Sequence, residues 1–267
     1  MKLVGRGLPL VLVMAVLPSA APLAAQAAAR TPPAARGKGW VALNSQQWPP
    51  YYLTAGDRPG YARELLQTCV SALGYEPRFS SLTIDKKYDA LRSGVLDAHV
   101  LSHDKSRESF MIYGKVALFS DAYRRVVRAG SGVTIKSLAD FDRLKLGHLR
   151  GLRYSEGYHD YVLKRIDAGT VVQAGTNEQL LEMLLDGTID AFVNVASTAR
   201  WLARGSHASD MVRVLPYDVK SSDYFLAVSQ KSRLEDKQAF LDGFVTCLHE
   251  VRRDGRYAKI RASYGLE

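Results

Sequence analysis

The phrase Gly-x-x-Asp-Ala occurs twice in this chain, each time leading into an apolar run: Gly94, Asp97 and Ala98 in "LRSGVLDAHVLS", then Gly187, Asp190 and Ala191 in "LLDGTIDAFVN". Glycine lacks the Cβ that clashes in the left-handed conformation closing a helix, so each phrase reads as helix end, short turn and parallel strand. The two copies finish similar units, and two similar lobes facing a shared cleft satisfy that pattern. Asp97 and Asp190 open their strands at the end opposite the expected ligand edge. They are therefore expected to be turn and backbone partners rather than paired catalytic carboxylates. In open α/β sheets ligands gather beyond the carboxyl ends of the strands, which here means near Ser102 and Asn194.

The spacing around the phrases supports two α/β units. "WVALNS" from Trp40 is strand-like, and Ala62, Leu65, Leu66, Cys69, Val70 and Leu73 then recur at helical spacing, with Gly74 as a stop. "YEPRFSSL" reads as a strand, 84–92 as a helix and "LDAHVLS" as a strand. Downstream, "LKLGHLRG" and "GTVVQA" are strand-like, 155–166 is an amphipathic helix, and 176–186 is a helix opened by a capping box of Thr176 and Gln179. The extended stretches "KVALFSDAYRRVVRAGSGV" and "PYDVKSSDYFLAVS" are candidate crossings between the lobes; a long helix over 234–253 and a shorter one over 257–264 come after them.

The N-terminus reads as a secretory signal peptide over residues 1–27. Lys2 and Arg6 precede an uncharged stretch that runs to Arg30, and "AQA" offers small residues for cleavage. The strongly apolar part, 8–17, is too short to span a bilayer, and Pro18 and Pro22 interrupt the residues beyond it, so the mature protein is expected not to be membrane-embedded. Residues 28–38 form a Pro, Ala and Gly-rich flexible leader. Removing the signal lowers the formal charge from +9 to about +7. The basic residues are scattered among acidic ones, without a basic stripe, which argues against nucleic acid as a partner.

Cys69 and Cys247 are the only cysteines, too few for a disulfide scaffold or a cysteine-rich metal site. Both fall on apolar faces of predicted helices; in an oxidising compartment they pair or remain as two buried thiols, and the sequence leaves both open. The chain has no GxSxG, no phosphate loop and no HExxH, and His99 and His103 are too far apart on a strand to share a metal. No cofactor, metal or catalytic residue is expected.

A longer set of phrases carries a family likeness: "WPPYY", "GYARELLQTCVSALGY", the two Gly-x-x-Asp-Ala phrases, "LSHDKSRESFMIYGKVALF", "SLADFDRLKLGHLRG", "SRLEDKQAFLDGF" and "EVRRDGRYAKI". In order and spacing, over most of the mature chain, they resemble the bacterial extracellular solute-binding proteins of family 3, the polar amino-acid type that serves ABC importers. The resemblance implies an α/β, two-lobed architecture of the type II periplasmic-binding-protein kind with two hinge strands. Lobe 1 would comprise 39–120 and the returning 222–267, and lobe 2 would comprise 121–221.

The resemblance also implies ligand-binding positions. Arg107 stands where family members grip a ligand carboxylate, a task suited to the planar fork of a guanidinium, and Ser102 matches a hydroxyl or backbone position at the strand end. Trp48, Tyr51 and Tyr52 are the aromatic residues expected to cover the ligand. Tyr88, on one helical stripe with Ile84 and Leu91, is expected in the core. In lobe 2 the chain departs from the family, with Leu152, Arg153 and Tyr154 where Ser or Thr is common; a helix start and Arg153 still favour an anion. The acidic residue that meets a ligand ammonium aligns with Val195, beside Asn194, so the ligand need not be an ordinary α-amino acid.

These readings make the chain a secreted, periplasmic solute-binding protein, monomeric, that captures a small polar or carboxylate ligand for the permease of an ABC importer. Two alternatives stay open. One is a dehydratase-like enzyme on the same scaffold, for which Glu108, Glu156 and Asp160 are the nearby acid or base candidates. The other is a sensory ligand-binding module that feeds no transporter.

Overall fold

The computed structural model describes residues 38–266, Ser155 excepted, together with the backbone but not the side chain of Glu156. The expected signal segment, and the leader up to residue 37, lie outside the described residues.

The first unit runs β1 (Trp40–Asn44), α1 (Tyr61–Ala72), β2 (Glu76–Ser80), α2 (Ile84–Ser93), β3 (Ala98–Ser102). A long strand, β4 (Met111–Arg128), comes next, and the second unit repeats the order as β5 (Leu146–Leu149), α3 (Glu156–Asp167), β6 (Val171–Ala174), α4 (Asn177–Asp186), β7 (Ala191–Val195). The chain continues through α5 (Ala196–Gly205), a second long strand β8 (Val212–Ser229), α6 (Lys237–Arg253) and α7 (Arg256–Ser263). The strands form one sheet in the order β2-β1-β3-β8-β4-β7-β5-β6. Each unit is parallel within itself, whereas β4 and β8, of 18 residues each, pair antiparallel with each other and with a strand of either unit. The two lobes are thus halves of one curled sheet, joined by β4 and β8 as hinge strands.

The repeated phrase does the same work in both halves. Gly94 ends α2 at φ 81° and Gly187 ends α4 at φ 87°, both left-handed. At Gly94 a Cβ would also stand 2.3 Å from the Lys231 carbonyl oxygen, so glycine is required for space as well as conformation. The aspartates three residues further on bind backbone in equivalent ways. Asp97 Oδ2 accepts a hydrogen bond from the Ala42 amide at 2.7 Å, and Asp190 Oδ2 accepts one from the Lys145 amide at 2.9 Å. Asp97, fully buried, is further neutralised by Ser232, the Arg233 amide and the Arg233 guanidinium.

The buried face of α1 consists of Tyr61, Ala62, Leu65, Leu66, Cys69 and Val70; the expected stripe gains the tyrosine ahead of it and loses Leu73, which caps the helix end half-buried. Helix α6 packs against α1 and β4, and α7 against α6 and α1, so the end of the chain returns to the first half. A disulfide between Cys69 on α1 and Cys247 on α6 fastens that return and settles the question left open by the sequence. No helix among the described residues is long and apolar enough to cross a membrane.

Candidate functional site

A cavity of about 100 Å³ lies between the halves, beyond the carboxyl ends of β1, β3, β5 and β7. The first half contributes Trp48, Lys87, His99, Ser102 and Arg107 to its wall, and the second Gly151, Arg153, Asn177, Asn194 and Val195. The halves meet across it. A Cβ on Gly151 would stand 3.3 Å from Asp85 Oδ1 and 3.5 Å from Ile84 Cβ, and Gln47 donates a hydrogen bond to Glu178 at 3.4 Å.

Arg107 reaches this wall from a short helical turn after β3. Asp104 caps that turn by accepting from the Ser106 amide at 2.9 Å. One guanidinium nitrogen donates to the Ser102 carbonyl at 2.8 Å, and the guanidinium carbon lies 5.2 Å from the centre of the Tyr88 ring. Burial works against the charge, but Tyr88, Tyr113 and Asp104 outweigh it and hold Arg107 above its ordinary range. Asp104, 3.7 Å away, is 39% exposed and so only partly screens this cation. Arg107 is thus fixed in direction, charged at every physiological pH, and able to grip an anion.

Of the other expected positions, Trp48, Ser102, Arg153 and Asn194 also line the cavity. The Trp48 ring sits 5.2 Å from that of Tyr224 and 4.6 Å from that of Tyr51. The Asn194 amide is already engaged, donating to Asn177 Oδ1 at 2.7 Å and accepting from the Val195 amide. Arg153 stands at the rim, exposed. Val195 is buried and apolar against the cavity, at the place where family members are expected to carry an acid.

Two expected positions do not reach the cavity. Tyr51, 1% exposed, stacks on Phe119 with ring centres 4.1 Å apart and donates its hydroxyl to Asp121, because consecutive residues in its turn face opposite ways and Tyr52 takes the cavity side. Tyr154 is buried inside the second half, packed edge-on against Tyr158 at 4.8 Å and Tyr123 at 5.6 Å, with its hydroxyl 3.1 Å from His148 Nδ1. It supports the wall through Tyr123, which does line the cavity.

Among the wall residues not identified by sequence reasoning, three stand around Arg107. Tyr88, expected in the core, is half-buried at the cavity and carries Arg107 on its ring. Lys87 is 8% exposed, and its side chain makes no hydrogen bond or ion pair among the described residues; its ammonium lies 5.0 Å from the centre of the same Tyr88 ring. Burial, with the Arg107 charge second, pushes Lys87 down to about 7. His99, on β3, is held well below the ordinary imidazole range by burial and then by Lys87 and Arg107, so it stays neutral. A signal is present for Lys87: it falls at i+3 from Ile84, on the apolar stripe of α2 that Tyr88 and Leu91 continue.

The acid and base candidates for catalysis sit apart from this wall. Glu108 is exposed and paired with His103 at 2.8 Å, and Asp160 is exposed; neither lines the cavity. The side chain of Glu156 lies outside the described residues. Among the described residues no cluster of three or more His, Cys, Asp or Glu is placed to hold a metal.

Solved structures with this architecture are numerous. A histidine kinase sensor domain with similarity to periplasmic binding proteins superposes with a TM-score of 0.70 at 21% identity, covering 86% of this chain and 96% of its own. An ancestral arginine-binding protein bound to arginine gives 0.69 at 21% identity, covering 86% and 99%. An amino acid ABC transporter substrate-binding protein from Streptococcus pneumoniae, bound to L-arginine, gives 0.66 at 15% identity, covering 85% and 94%. At these identities the likeness establishes the fold. No curated protein matches the sequence. Residues 41–267 match the family described as "Bacterial extracellular solute-binding proteins, family 3", nearly the whole chain beyond the expected signal and leader. With that match, the two-lobed fold and the enclosed cleft, this chain is a ligand-binding protein that belongs to the bacterial extracellular solute-binding proteins, family 3.

Proposed function

We propose that the protein is exported to the periplasm, closes its two halves on a small organic anion lacking a free ammonium group, and delivers that anion to the permease of an ABC importer. The observation that carries this reading is the composition of the cleft wall. Lys87, Arg107 and Arg153 line it, and no carboxylate does so among the described residues. Arg107 offers a guanidinium fork to a carboxylate, and Trp48 offers apolar surface to its carbon skeleton. Next to Val195, a ligand ammonium would lose its hydration without gaining a partner. The arginine bound by two of the similar structures carries two cationic groups, and against this wall such a guest meets like charges.

Identification of the natural guest tests the proposal directly. Freshly purified protein is denatured and the released small molecules are identified by mass spectrometry; an organic acid is expected, and a basic amino acid would overturn the reading. A thermal-shift panel provides the second arm. At a hundredfold excess over Kd a true ligand adds about 2.7 kcal/mol to stability, which a melting curve resolves.

The likeness to a histidine kinase sensor domain supports a second reading, in which the same closure reports the anion to a signalling partner. A permease gene beside this one favours delivery, and a kinase or cyclase gene favours signalling. Uptake of the identified anion by vesicles carrying the permease, dependent on this protein, decides between them.

A further inference from the structure

We propose that Lys87 is the second anchor for the guest, which makes the guest a small dicarboxylate with one carboxylate at Arg107 and the other at Lys87. This rests on the anion-binding reading above and narrows it.

A lysine this deeply buried is ordinarily paired, because an isolated ammonium out of water is costly. Lys87 has no such partner among the described residues. The acids on its own helix are turned to other uses: Asp89 pairs with Arg92 at 3.3 Å, and Asp85 lies against Gly151 of the second half. From the neighbouring elements Arg107, Arg153 and the neutral His99 line the same cavity, and the Tyr88 ring stands beside Lys87 on its own helix. A purely structural residue at this place on the α2 stripe would be better served by Leu or Met, which fill the same volume without a charge.

The ring they share keeps the two cations close to each other. The Lys87 ammonium is 5.0 Å from the centre of the Tyr88 ring and the Arg107 guanidinium carbon 5.2 Å from the same point. Two positive groups held around one phenol match two negative groups separated by a few carbons, and a cavity of about 100 Å³ suits a guest of that size. His99, neutral beside them, adds a polar edge without a third charge at this end of the cleft. The lowered proton affinity of Lys87 agrees with a site completed by an anion: a carboxylate beside it restores the cationic form, so binding takes up protons near neutral pH.

The test is titration calorimetry on the mature chain with succinate and glutarate, against butyrate and valerate as monocarboxylates of matching length. Wild type is expected to prefer the dicarboxylates by about tenfold or more, the worth of one charge-assisted contact. In Lys87→Met and Lys87→Gln the preference should shrink below about threefold, because the dicarboxylates lose more affinity than the monocarboxylates. Melting curves of the ligand-free variants, expected at or above wild type, show that they fold. A dicarboxylate preference that survives both substitutions, or equal binding of both acid types by wild type, overturns this inference and leaves the anion reading standing. Binding confined to ammonium-bearing amino acids, or no binding of any carboxylate, overturns both.

Discussion

The Arg107 guanidinium carbon lies 5.2 Å from the centre of the Tyr88 ring, so a phenol on α2 fixes the direction of a cation supplied by the turn after β3. Neither residue is a neighbour of the other in sequence. Their meeting joins the end of a strand to the face of a helix at the cleft, and it organises the first prediction.

Arg107→Lys keeps the charge and loses the fork. Ligand affinity, read by calorimetry, should fall about tenfold or more with the melting temperature nearly unchanged. Tyr88→Leu removes only the ring that orients the guanidinium and should give a smaller loss, of about 0.5–2 kcal/mol. Wild-type affinity in Arg107→Lys would exclude a bidentate grip.

Val195→Asp restores an acid at the position where the family resemblance expects one. The variant should gain binding of an α-amino acid such as glutamine or arginine and lose affinity for an anion without an ammonium, since a carboxylate would then face the anion. Side-by-side thermal shifts with the two ligand types measure the exchange, and an unchanged ligand preference would show that Val195 does not contact the guest.

Acid should destabilise the folded chain through two imidazoles. Burial first, then nearby cations, holds His99 well below its ordinary value, and burial with the His159 charge brings His148 down to about 4. Between these lowered values and the unfolded value of about 6.5, the unfolded chain binds more protons, so stability decreases as pH falls through that window. Chemical unfolding at pH 7, 6, 5 and 4.5 should trace this slope. His148→Gln should flatten it; an identical slope in that variant would assign the effect elsewhere.

The Cys69–Cys247 bridge joins residues 178 apart in sequence. On the chain-entropy account such a crosslink contributes about 5 kcal/mol by restricting the unfolded state. Reduction, or replacement of both cysteines by alanine, should therefore lower the urea midpoint strongly with little change in ligand affinity at 25 °C. Equal midpoints with and without reductant would show that the bridge does not form in the purified protein.

Much of the architecture is readable from residue types because local rules and tertiary packing agree. Gly94 and Gly187 mark the helix ends, Thr176 marks a helix start that its side chain indeed caps, and five residues of the buried face of α1, from Ala62 to Val70, emerge from helical spacing. The cleft is less legible. A helical stripe tells which residues leave the solvent but not whether they enter a core or a ligand cavity, which is why Tyr88 reads as core and Lys87 escapes notice. Within "WPPYY" the sequence does not say which way each ring turns. The turn closed by Trp48 and Tyr52 sends the two tyrosines opposite ways, and Tyr51 faces Asp121 while Tyr52 faces the cavity. Tyr154 fails differently: its motif position is at the second half's rim, but ring packing with Tyr123 and Tyr158 draws it inward.

Because β4 and β8 belong to both halves, the molecule has a pivot with two backbones. The ladder between them shifts register at several places from Tyr113 to Val126. A ribbon of this kind bends readily across its face and resists sliding along its length, where every ladder hydrogen bond would have to break together. For the closure proposed above, such a pivot steers the halves along a single arc, with Arg107 and Arg153 on opposite sides of the cavity they both line.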